Sequence, residues 1–385
     1  MGKKSELWST FRGNNNFPVY NWFYFTEAYS RGLVRNILLK HVHKENAKLV
    51  DPFCGTGTSL LVGKEFGFDV TGFDVSPIMC LISKIKTDKY DLELLDELLT
   101  SVADIDNKPD IALNEKDKWI KRFFYKENLD ALLKLKANID LIESSEKYFF
   151  YGVLYKTLET VTRAEKRGSA IRVRKIRILD TLKIFNRHYN QFVKDIKKFY
   201  NRSKDVDVQI FNEGVGSIKD RVNNVDIIVC SPPYPNKTEY TKRMGVELAF
   251  FGFDSILEKH LGTKDIKREK EYLYINMFSD ELNKADGNYK MKIESYDLDN
   301  YFIGLENFVN DSYDVLNKDG ILSITIAGGC FRNFALDIYD YMVKLYEQAG
   351  FKLEDIKTDR DITCHKDRTI QIGKIREFTI VGRKV

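Results

Sequence analysis

Hydrophobic positions along the chain fall into short continuous runs that alternate with longer segments of helical spacing. Residues 48–52 form an apolar run that enters a glycine-rich turn, and residues 59–66 then show a helical pattern. A second apolar run spans residues 68–75, and helical spacing returns at 78–86. This order predicts a β-turn-α-β unit, which is the building block of a parallel sheet with crossover helices.

The same alternation returns in the second half of the chain. It predicts strands at 206–211, 225–230, 321–327, 351–356 and 377–381, helices at 298–316 and 336–349, and a turn at 317–320. These elements continue the first unit, so we predict one α/β domain formed by residues 1–90 and 205–385.

Two segments interrupt this pattern. Residues 91–204 have mostly helical periodicity and few glycines, and they are far longer than a crossover connection requires. Residues 252–297 are polar and rich in lysine, without a clear strand. We therefore predict an inserted, mainly helical subdomain at 91–204 and a second, smaller insertion at 252–297.

Charge is unevenly distributed, although the 385-residue chain has a formal net charge of only +4. Residues 151–204 contain 15 Lys and Arg but four Asp and Glu, an excess of 11 positive charges. A basic segment with interleaved aromatic residues, on a chain that is otherwise acidic, indicates a polyanion-binding surface. A solvated face of Lys-rich helices is the alternative interpretation.

The five cysteines, at positions 54, 80, 230, 330 and 364, show neither a CxxC pair nor a zinc-ligand spacing. We expect free thiols in a reducing cytoplasm, with no disulfide framework and no metal site. The segment after Met1 lacks the apolar run of a signal peptide, and no stretch is apolar enough to span a membrane. We therefore expect a cytoplasmic protein with no membrane partner.

The turn after the first apolar run has the sequence Asp51-Pro52-Phe53-Cys54-Gly55-Thr56-Gly57-Thr58. Glycines permit positive φ and close approach of a ligand, and the helix that follows offers free N–H groups to a carboxylate. Asp74, at the end of the second run, is placed to accept both hydroxyls of a ribose, and Val75 to cover an adenine ring. A tight turn without a ligand is the alternative.

A second turn, Ser231-Pro232-Pro233-Tyr234, follows the apolar run at 225–230. An exocyclic amino group on a nucleobase is a poor nucleophile because its lone pair is delocalised into the ring. The Ser231 hydroxyl and the Pro232 carbonyl are two acceptors for its protons, which favours a pyramidal nitrogen aimed at a methyl donor. Tyr234 would stack on the base, which reaches such a pocket by flipping out of the helix. A rigid loop or a polyproline ligand is the alternative.

Together, the two turns resemble the catalytic motifs of the class I, S-adenosyl-L-methionine-dependent DNA amino-methyltransferases. The resemblance covers about residues 20–90 and 205–385, and it implies a Rossmann-like, seven-stranded, mostly parallel sheet. Serine at the first position of the second motif is typical of the cytosine-N4 group, whereas adenine-N6 enzymes usually carry Asp or Asn there. No cysteine follows a proline, so the chain lacks the Pro-Cys loop of cytosine-C5 enzymes.

The resemblance also implies further contacts to the cofactor. The stretch from Phe25 to Val34 resembles the family's motif X, in which Ser30 is the best candidate for a polar contact to the methionine part. Asn212 and Glu213 follow the strand predicted at 206–211, where the family usually has a polar or acidic residue near the adenine.

Residues 100–204 match no motif of the family, so target recognition by the basic insertion is inferred from charge alone. The best candidates for phosphate or guanine contacts in double-stranded DNA are Arg163, Arg167, Arg172, Arg174 and Arg177. Arg172 and Arg174 alternate with apolar residues, which a strand face would explain. If 91–204 reads DNA, the motif order is α-like, and if 252–297 reads it, the order is γ-like. A segment that only packs on the catalytic domain is the alternative.

The leading hypothesis is a cytosine-N4 DNA methyltransferase of a restriction-modification system, with a separate cognate restriction endonuclease as partner. An adenine-N6 DNA methyltransferase is the nearest alternative, because the two share fold and mechanism. An RNA or protein amide methyltransferase, and a nucleic-acid-binding module with a degenerate catalytic core, are further alternatives. Intact glycines and an intact second motif argue against the last.

Overall fold

The computed structural model describes residues 8–106, 111–167, 170–235, 243–254, 261, 272–278, 298–331, 334–366 and 369–385. In chain order, the strands are β1 Lys48–Asp51, β2 Asp69–Phe73, β3 Ala164–Arg167, β4 Ala170–Val173, β5 Val208–Phe211, β6 Val225–Cys230, β7 Leu316–Ala327, β8 Gly329–Cys330, β9 Ala335–Leu336, β10 Phe351–Lys366 and β11 Ile370–Lys384.

The helices that we label are α1 Arg31–His41, α2 Thr58–Phe66, α3 Pro77–Thr87, α4 Leu92–Ala103, α5 Lys126–Asp140, α6 Glu146–Val161, α7 Thr181–Tyr200, α8 Ile218–Arg221, α9 Gly245–Phe251, α10 Leu298–Val315 and α11 Tyr339–Gln348. Short 3-10 helices lie at Phe11–Asn14, Glu115–Phe123 and Val215–Ser217, and residues 273–278 are also helical.

Seven strands form the central sheet, in the order β10-β11-β7-β6-β1-β2-β5. β5, β2, β1, β6 and β7 run parallel, whereas β11 is antiparallel to both of its neighbours, β7 and β10. The prediction of an α/β fold with a mostly parallel, seven-stranded sheet is confirmed. The carboxyl ends of β1 and β6 are adjacent, so the two turns that follow them lie side by side.

Alternate residues of the central strands face two separate hydrophobic clusters. Leu49 and Ile227 face the cluster that includes α1, α2 and α3, whereas Val50 and Ile228 face the cluster that includes α10 and α11. Strands buried on both faces need apolar side chains at successive positions, which explains their continuous apolar runs. The sheet is therefore covered by helices on both sides.

The inserted region is mainly helical, as predicted, and it shares one hydrophobic cluster with the N-terminal segment. Trp22 stacks on Phe192 of α7 with ring centres 3.9 Å apart, and its indole N–H donates to Asp195 at 3.1 Å. Phe149 of α6 packs edge-on against the same tryptophan. These helices are thus fastened to the sheet domain. The second insertion, predicted at 252–297, lies largely outside the described residues.

Three sequence predictions differ from the structure in their boundaries. The turn predicted at 317–320 lies within β7, where the register against β6 is irregular and Asp319 has a φ of 65°. The helix predicted from Leu336 begins at Tyr339, because Leu336 belongs to β9. The closing strands predicted at 351–356 and 377–381 form a much longer hairpin, β10–β11.

The expectation that all cysteines are free was wrong for two of the five. Cys330 and Cys364 form a disulfide with Cα atoms 5.3 Å apart, whereas Cys54, Cys80 and Cys230 are buried free thiols. β11 pairs with β7 only from Glu377 onward, so the tip of the β10–β11 hairpin projects beyond the sheet edge. This projection brings Cys364 next to Cys330 in the segment after β7. The spacing of the two cysteines in the sequence does not indicate that they are close.

Candidate active site

The first turn leaves β1 and enters α2 through two left-handed glycines. Gly55 has a φ of 50° and Gly57 a φ of 73°, a region that side-chain-bearing residues rarely adopt. A Cβ on Gly57 would lie 2.9 Å from Ser83 Oγ of α3, whereas one on Gly55 would meet no atom closer than 3.9 Å. Gly57 is therefore required by the packing of α3 as well as by its φ.

Asp51 ends β1 and is buried beneath this turn. Its carboxylate accepts hydrogen bonds from Tyr29 Oη at 2.9 Å, from the Phe53 N–H at 3.0 Å and from the Ser59 hydroxyl. Burial raises the pKa of Asp51 to about 6, and these hydrogen bonds oppose the rise. Asp51 thereby joins the segment before α1, the turn and α2.

Asp74 follows β2 and holds the same turn from the other side. Its carboxylate accepts the Gly55 N–H at 3.0 Å and the Ser76 N–H at 2.8 Å. Burial raises the pKa of Asp74 to about 6, against the effect of these two donors. Each oxygen has a second lone pair available for a ligand hydroxyl.

A buried lysine supports the turn from below. Lys86 of α3 is fully buried, and its Nζ donates to the Thr56 carbonyl at 2.5 Å. Burial lowers the pKa of Lys86 to about 7, because water no longer stabilises the ammonium form.

The second turn, Ser231–Tyr234, continues from the buried strand β6. Tyr301 of α10 donates to the Pro233 carbonyl at 2.9 Å, and Tyr234 donates to Glu377 Oε1 of β11 at 2.6 Å. Among the described residues, neither the Ser231 hydroxyl nor the Pro232 carbonyl has a hydrogen-bond partner. Both remain available to a ligand.

One cavity joins the two turns. Of the predicted site residues, it is lined by Pro52, Phe53, Cys54, Gly55, Thr56, Thr58, Asp74, Val75, Ser231, Pro232, Pro233 and Tyr234. Residues that sequence analysis had not selected complete the lining, namely Phe25, Glu27, Ala28, Tyr29, Ser76, Met79, Val215 and Leu261. Asp51 and Gly57 stand behind the wall and shape it.

Besides Asp51 and Gly57, three further predicted cofactor contacts lie outside the cavity lining. Ser30 is buried, and its hydroxyl accepts the Leu33 N–H as the N-cap of α1. Asn212 donates to the Asp74 carbonyl at 2.9 Å, and Glu213 is paired with Arg221. Within the motif X stretch, Tyr29 lines the cavity and the neighbouring Ser30 does not. The sequence pattern does not distinguish between two adjacent positions.

The lining residues fit a methyl donor with an amino-acid end and a nucleoside end. Thr56 Oγ1 and Thr58 Oγ1 are buried and have no hydrogen-bond partner among the described residues. A buried hydroxyl without a partner is costly, and both line the cavity where α2 begins. A ligand with polar groups at this point would satisfy them, and Asp74 would meet its ribose.

The arginines predicted to contact DNA lie in or beside the β3–β4 hairpin. Arg172 faces Glu165 across the hairpin, and both Arg172 and Arg177 are exposed. The guanidinium of Arg163 instead lies over Tyr125, 4.8 Å from the ring centre.

Arg174 is also engaged locally, because its Nη2 donates to the Thr162 carbonyl at 3.3 Å. For Arg167 the structure describes only the backbone. The hairpin is joined to α9 by an ion pair of 2.7 Å between Lys166 and the buried Glu247. Of the two arginines in the alternating stretch 171–176, Arg172 lies within β4, whereas Arg174 follows the strand, which ends at Val173.

Within the described part of the chain, no three His, Cys, Asp or Glu side chains come together as a metal site requires. None of the helices described is both long and apolar enough to cross a membrane.

The sheet order and the cavity between the two turns define a Rossmann-like methyltransferase. The family model for the D12 class N6 adenine-specific DNA methyltransferase matches residues 31–295, and the chain belongs to this family. S-adenosyl-L-methionine is the methyl donor of this family.

The chain is similar to the Type II methyltransferase M.BsoBI of Geobacillus stearothermophilus, with 23% identity over 291 residues, 64% of this chain and 55% of that protein. It is also similar to the Type II methyltransferase M.AvaI of Nostoc sp., with 25% identity over 278 residues, 63% of this chain and 56% of that protein. The chain thus spans about half the length of these relatives. A solved structure, TehB from Haemophilus influenzae, aligns over 92% of this chain and 62% of its own, with 10% identity and a TM-score of 0.31.

Proposed function

We propose that this chain transfers a methyl group from S-adenosyl-L-methionine to the exocyclic N4 amino group of a cytosine flipped out of double-stranded DNA. The observation that carries the proposal is the position of Ser231. Ser231 directly follows β6, next to the turn at residues 51–58, and it lines the same cavity as Asp74 and Tyr234. A neutral hydroxyl at this position is typical of the cytosine-N4 group.

The two acceptors of the second turn would orient the target amino group. The Ser231 hydroxyl and the Pro232 carbonyl are adjacent in the chain and have no partners among the described residues. By accepting one N–H each, they would direct the nitrogen lone pair away from the ring plane. Bound S-adenosyl-L-methionine supplies the electrophilic methyl group. No covalent intermediate with the enzyme is required.

The DNA is proposed to lie against the β3–β4 hairpin. Arg172 and Arg177 are exposed there, and the ion pair between Lys166 and Glu247 connects the hairpin to α9. We propose accordingly that 91–204 contributes to target recognition, which corresponds to the α-like arrangement, while 1–90 and 205–385 form the catalytic domain. The names of the Type II relatives support a role in restriction and modification, with a separate endonuclease as partner.

An adenine-N6 activity is the second candidate, favoured by the description of the matching family. The decisive experiment supplies the protein with unmodified double-stranded DNA and isotopically labelled S-adenosyl-L-methionine, followed by nucleoside digestion and mass spectrometry. We expect labelled N4-methylcytosine. Labelled N6-methyladenine would overturn the base assignment and keep the rest of the proposal.

The Ser231→Ala variant is the control for this experiment. We expect it to bind S-adenosyl-L-methionine normally by calorimetry and to label DNA far more slowly. If the wild-type protein binds the donor but labels no DNA, DNA is not the substrate. Parallel reactions with RNA and with a protein extract then test the amide and RNA alternatives.

A further inference from the structure

Tyr234 is held at both ends, although it lies in a turn without regular secondary structure. The backbone beside it is fixed by the hydrogen bond from Tyr301 to the Pro233 carbonyl. The far end of its side chain donates to Glu377 Oε1 at 2.6 Å. Glu377 belongs to β11, 143 residues away in sequence.

Glu377 is itself rigidly positioned. It is 1% exposed and lies in the interior of the sheet, opposite Ala327 of β7 and Arg360 of β10. The guanidinium of Arg360 donates to both carboxylate oxygens, at 2.5 and 3.2 Å, and Ser9 donates to Oε2 at 2.7 Å. The carboxylate therefore presents one oxygen to Tyr234 in a fixed place.

A fixed acceptor sets the orientation of the tyrosine ring as well as the position of its hydroxyl. The phenolic O–H prefers the plane of the ring, because the oxygen lone pair conjugates with it. The direction from the hydroxyl to Glu377 thus favours one rotation of the Tyr234 ring about its Cβ–Cγ bond. The position of the hydroxyl in turn favours one direction of the whole side chain from the backbone. A ring that stacks on a flipped base needs both to be set before the base arrives.

We propose that Glu377 is a positioning residue that pre-orients Tyr234 for stacking on the target base. This inference rests on the proposed function, because it requires a base in the cavity. Glu377 is not among the residues that line the cavity, so it acts on the base through the tyrosine hydroxyl.

A double-mutant cycle tests the inference. Tyr234→Phe and Glu377→Gln are each expected to lower kcat for DNA methylation by roughly tenfold or more, because a misdirected ring costs productive orientation. The double variant is expected to be no slower than the slower single variant. The dissociation constant for S-adenosyl-L-methionine, measured by calorimetry, should change less than about twofold throughout.

Glu354→Gln is the matched control. Glu354 lies on β10 and pairs with Arg383 of β11, so its loss perturbs the same hairpin far from Tyr234. We expect this variant to keep wild-type kcat even where its melting temperature falls as far as that of Glu377→Gln.

Three outcomes overturn the inference. Effects of Tyr234→Phe and Glu377→Gln that multiply in the double variant would mean that Glu377 acts through the sheet. An unchanged kcat in Glu377→Gln would show that the Glu377 carboxylate is not needed to orient Tyr234, and an equal loss in Glu354→Gln would assign the effect to the hairpin as a whole. A wild-type protein that binds the donor but labels no DNA refutes the proposed function instead, and this inference falls with it.

Discussion

At the residue scale, the clearest signs of a ligand are the two buried threonine hydroxyls that line the cavity. In the free protein, Thr56 Oγ1 and Thr58 Oγ1 have no hydrogen-bond partner among the described residues. Thr56→Val and Thr58→Val remove each hydroxyl while nearly keeping the shape of the side chain. We therefore expect the free protein to be as stable as wild type, and donor affinity to fall by roughly three- to tenfold.

Calorimetric binding and thermal unfolding check this expectation. Ser83→Ala is the control, because the Ser83 hydroxyl already donates to the Gly55 carbonyl at 2.9 Å. That variant should lose stability, unlike the two threonine variants. A Thr56→Val protein that unfolds more readily but binds the donor normally would contradict a ligand role for the hydroxyl.

The ionisation of Asp74 is expected to make donor binding depend on pH. Its pKa is raised by burial from 3.8 to about 6, so the folded protein holds this proton more tightly than the unfolded chain. Its contribution to the free energy of unfolding therefore falls as pH rises from about 4 to about 6. Donor affinity should change in the opposite direction, because the ionised carboxylate is the better acceptor for ribose hydroxyls.

Titration calorimetry between pH 5 and pH 8 measures this dependence. Below about pH 6, we expect donor affinity to fall by up to about tenfold per pH unit. Asp74→Asn should bind more weakly at pH 8 and lose this dependence. A pH profile that is the same in both proteins would assign the titration to another group.

At the scale of elements, the turn at residues 51–58 depends on glycine for two separable reasons. Gly55→Ala introduces only the strain of a left-handed residue, since a Cβ there meets no atom closer than 3.9 Å. Gly57→Ala adds a contact of 2.9 Å with Ser83 Oγ. We expect the free energy of unfolding to fall by about 1–2 kcal/mol in the first variant and by more in the second.

Denaturant unfolding of the two variants gives the free energy of unfolding of each. The difference between them measures the cost of the steric contact with Ser83. Gly216→Ala serves as the reference, because a Cβ there meets nothing within 4 Å and its φ is not positive. If the free energy of unfolding falls equally in Gly55→Ala and Gly57→Ala, the Ser83 side chain moves aside without a loss of stability. The left-handed φ alone would then explain why both positions are glycine.

The sequence predicted those elements that depend on a pattern of neighbouring residues. The continuous apolar runs identified β1, β2 and β6, and the glycine-rich and Ser-Pro-Pro-Tyr turns identified two walls of the cavity. Partners brought together from distant segments left no local signal. The contact of Tyr234 with Glu377 and the disulfide between Cys330 and Cys364 are of this kind. Which of Tyr29 and Ser30 lines the cavity depends on the direction in which the chain enters α1, and the sequence does not specify that direction.

At the scale of the whole molecule, the basic insertion and the catalytic cavity are parts of one packed body. The hairpin that carries Arg172 is linked to α9 by Lys166, and the helices around it share a core with the N-terminal segment. A DNA duplex held on the hairpin would therefore have a defined position relative to the cavity.

Arg172→Ala and Arg177→Ala test this arrangement. If each arginine contacts one phosphate, each variant should weaken DNA binding and reduce the slope of log affinity against log salt by about 0.9. Fluorescence anisotropy at several salt concentrations measures both quantities. Lys352→Ala is the control, because this exposed lysine lies on β10, an edge strand of the central sheet that does not pair with the hairpin. Loss of affinity in that variant alone would place the DNA elsewhere.

The position of β11 has a consequence for how the protein is made. This strand is the last of the seven in sequence, but it lies between β7 and β10 in the interior of the sheet. A nascent chain that has emerged only as far as β10 therefore has a gap where an inner strand belongs. It also lacks Glu377, the anchor of Tyr234. The cavity between the two turns is therefore expected to reach its final shape only after β11 has been synthesised and inserted between β7 and β10, later than the two turns themselves.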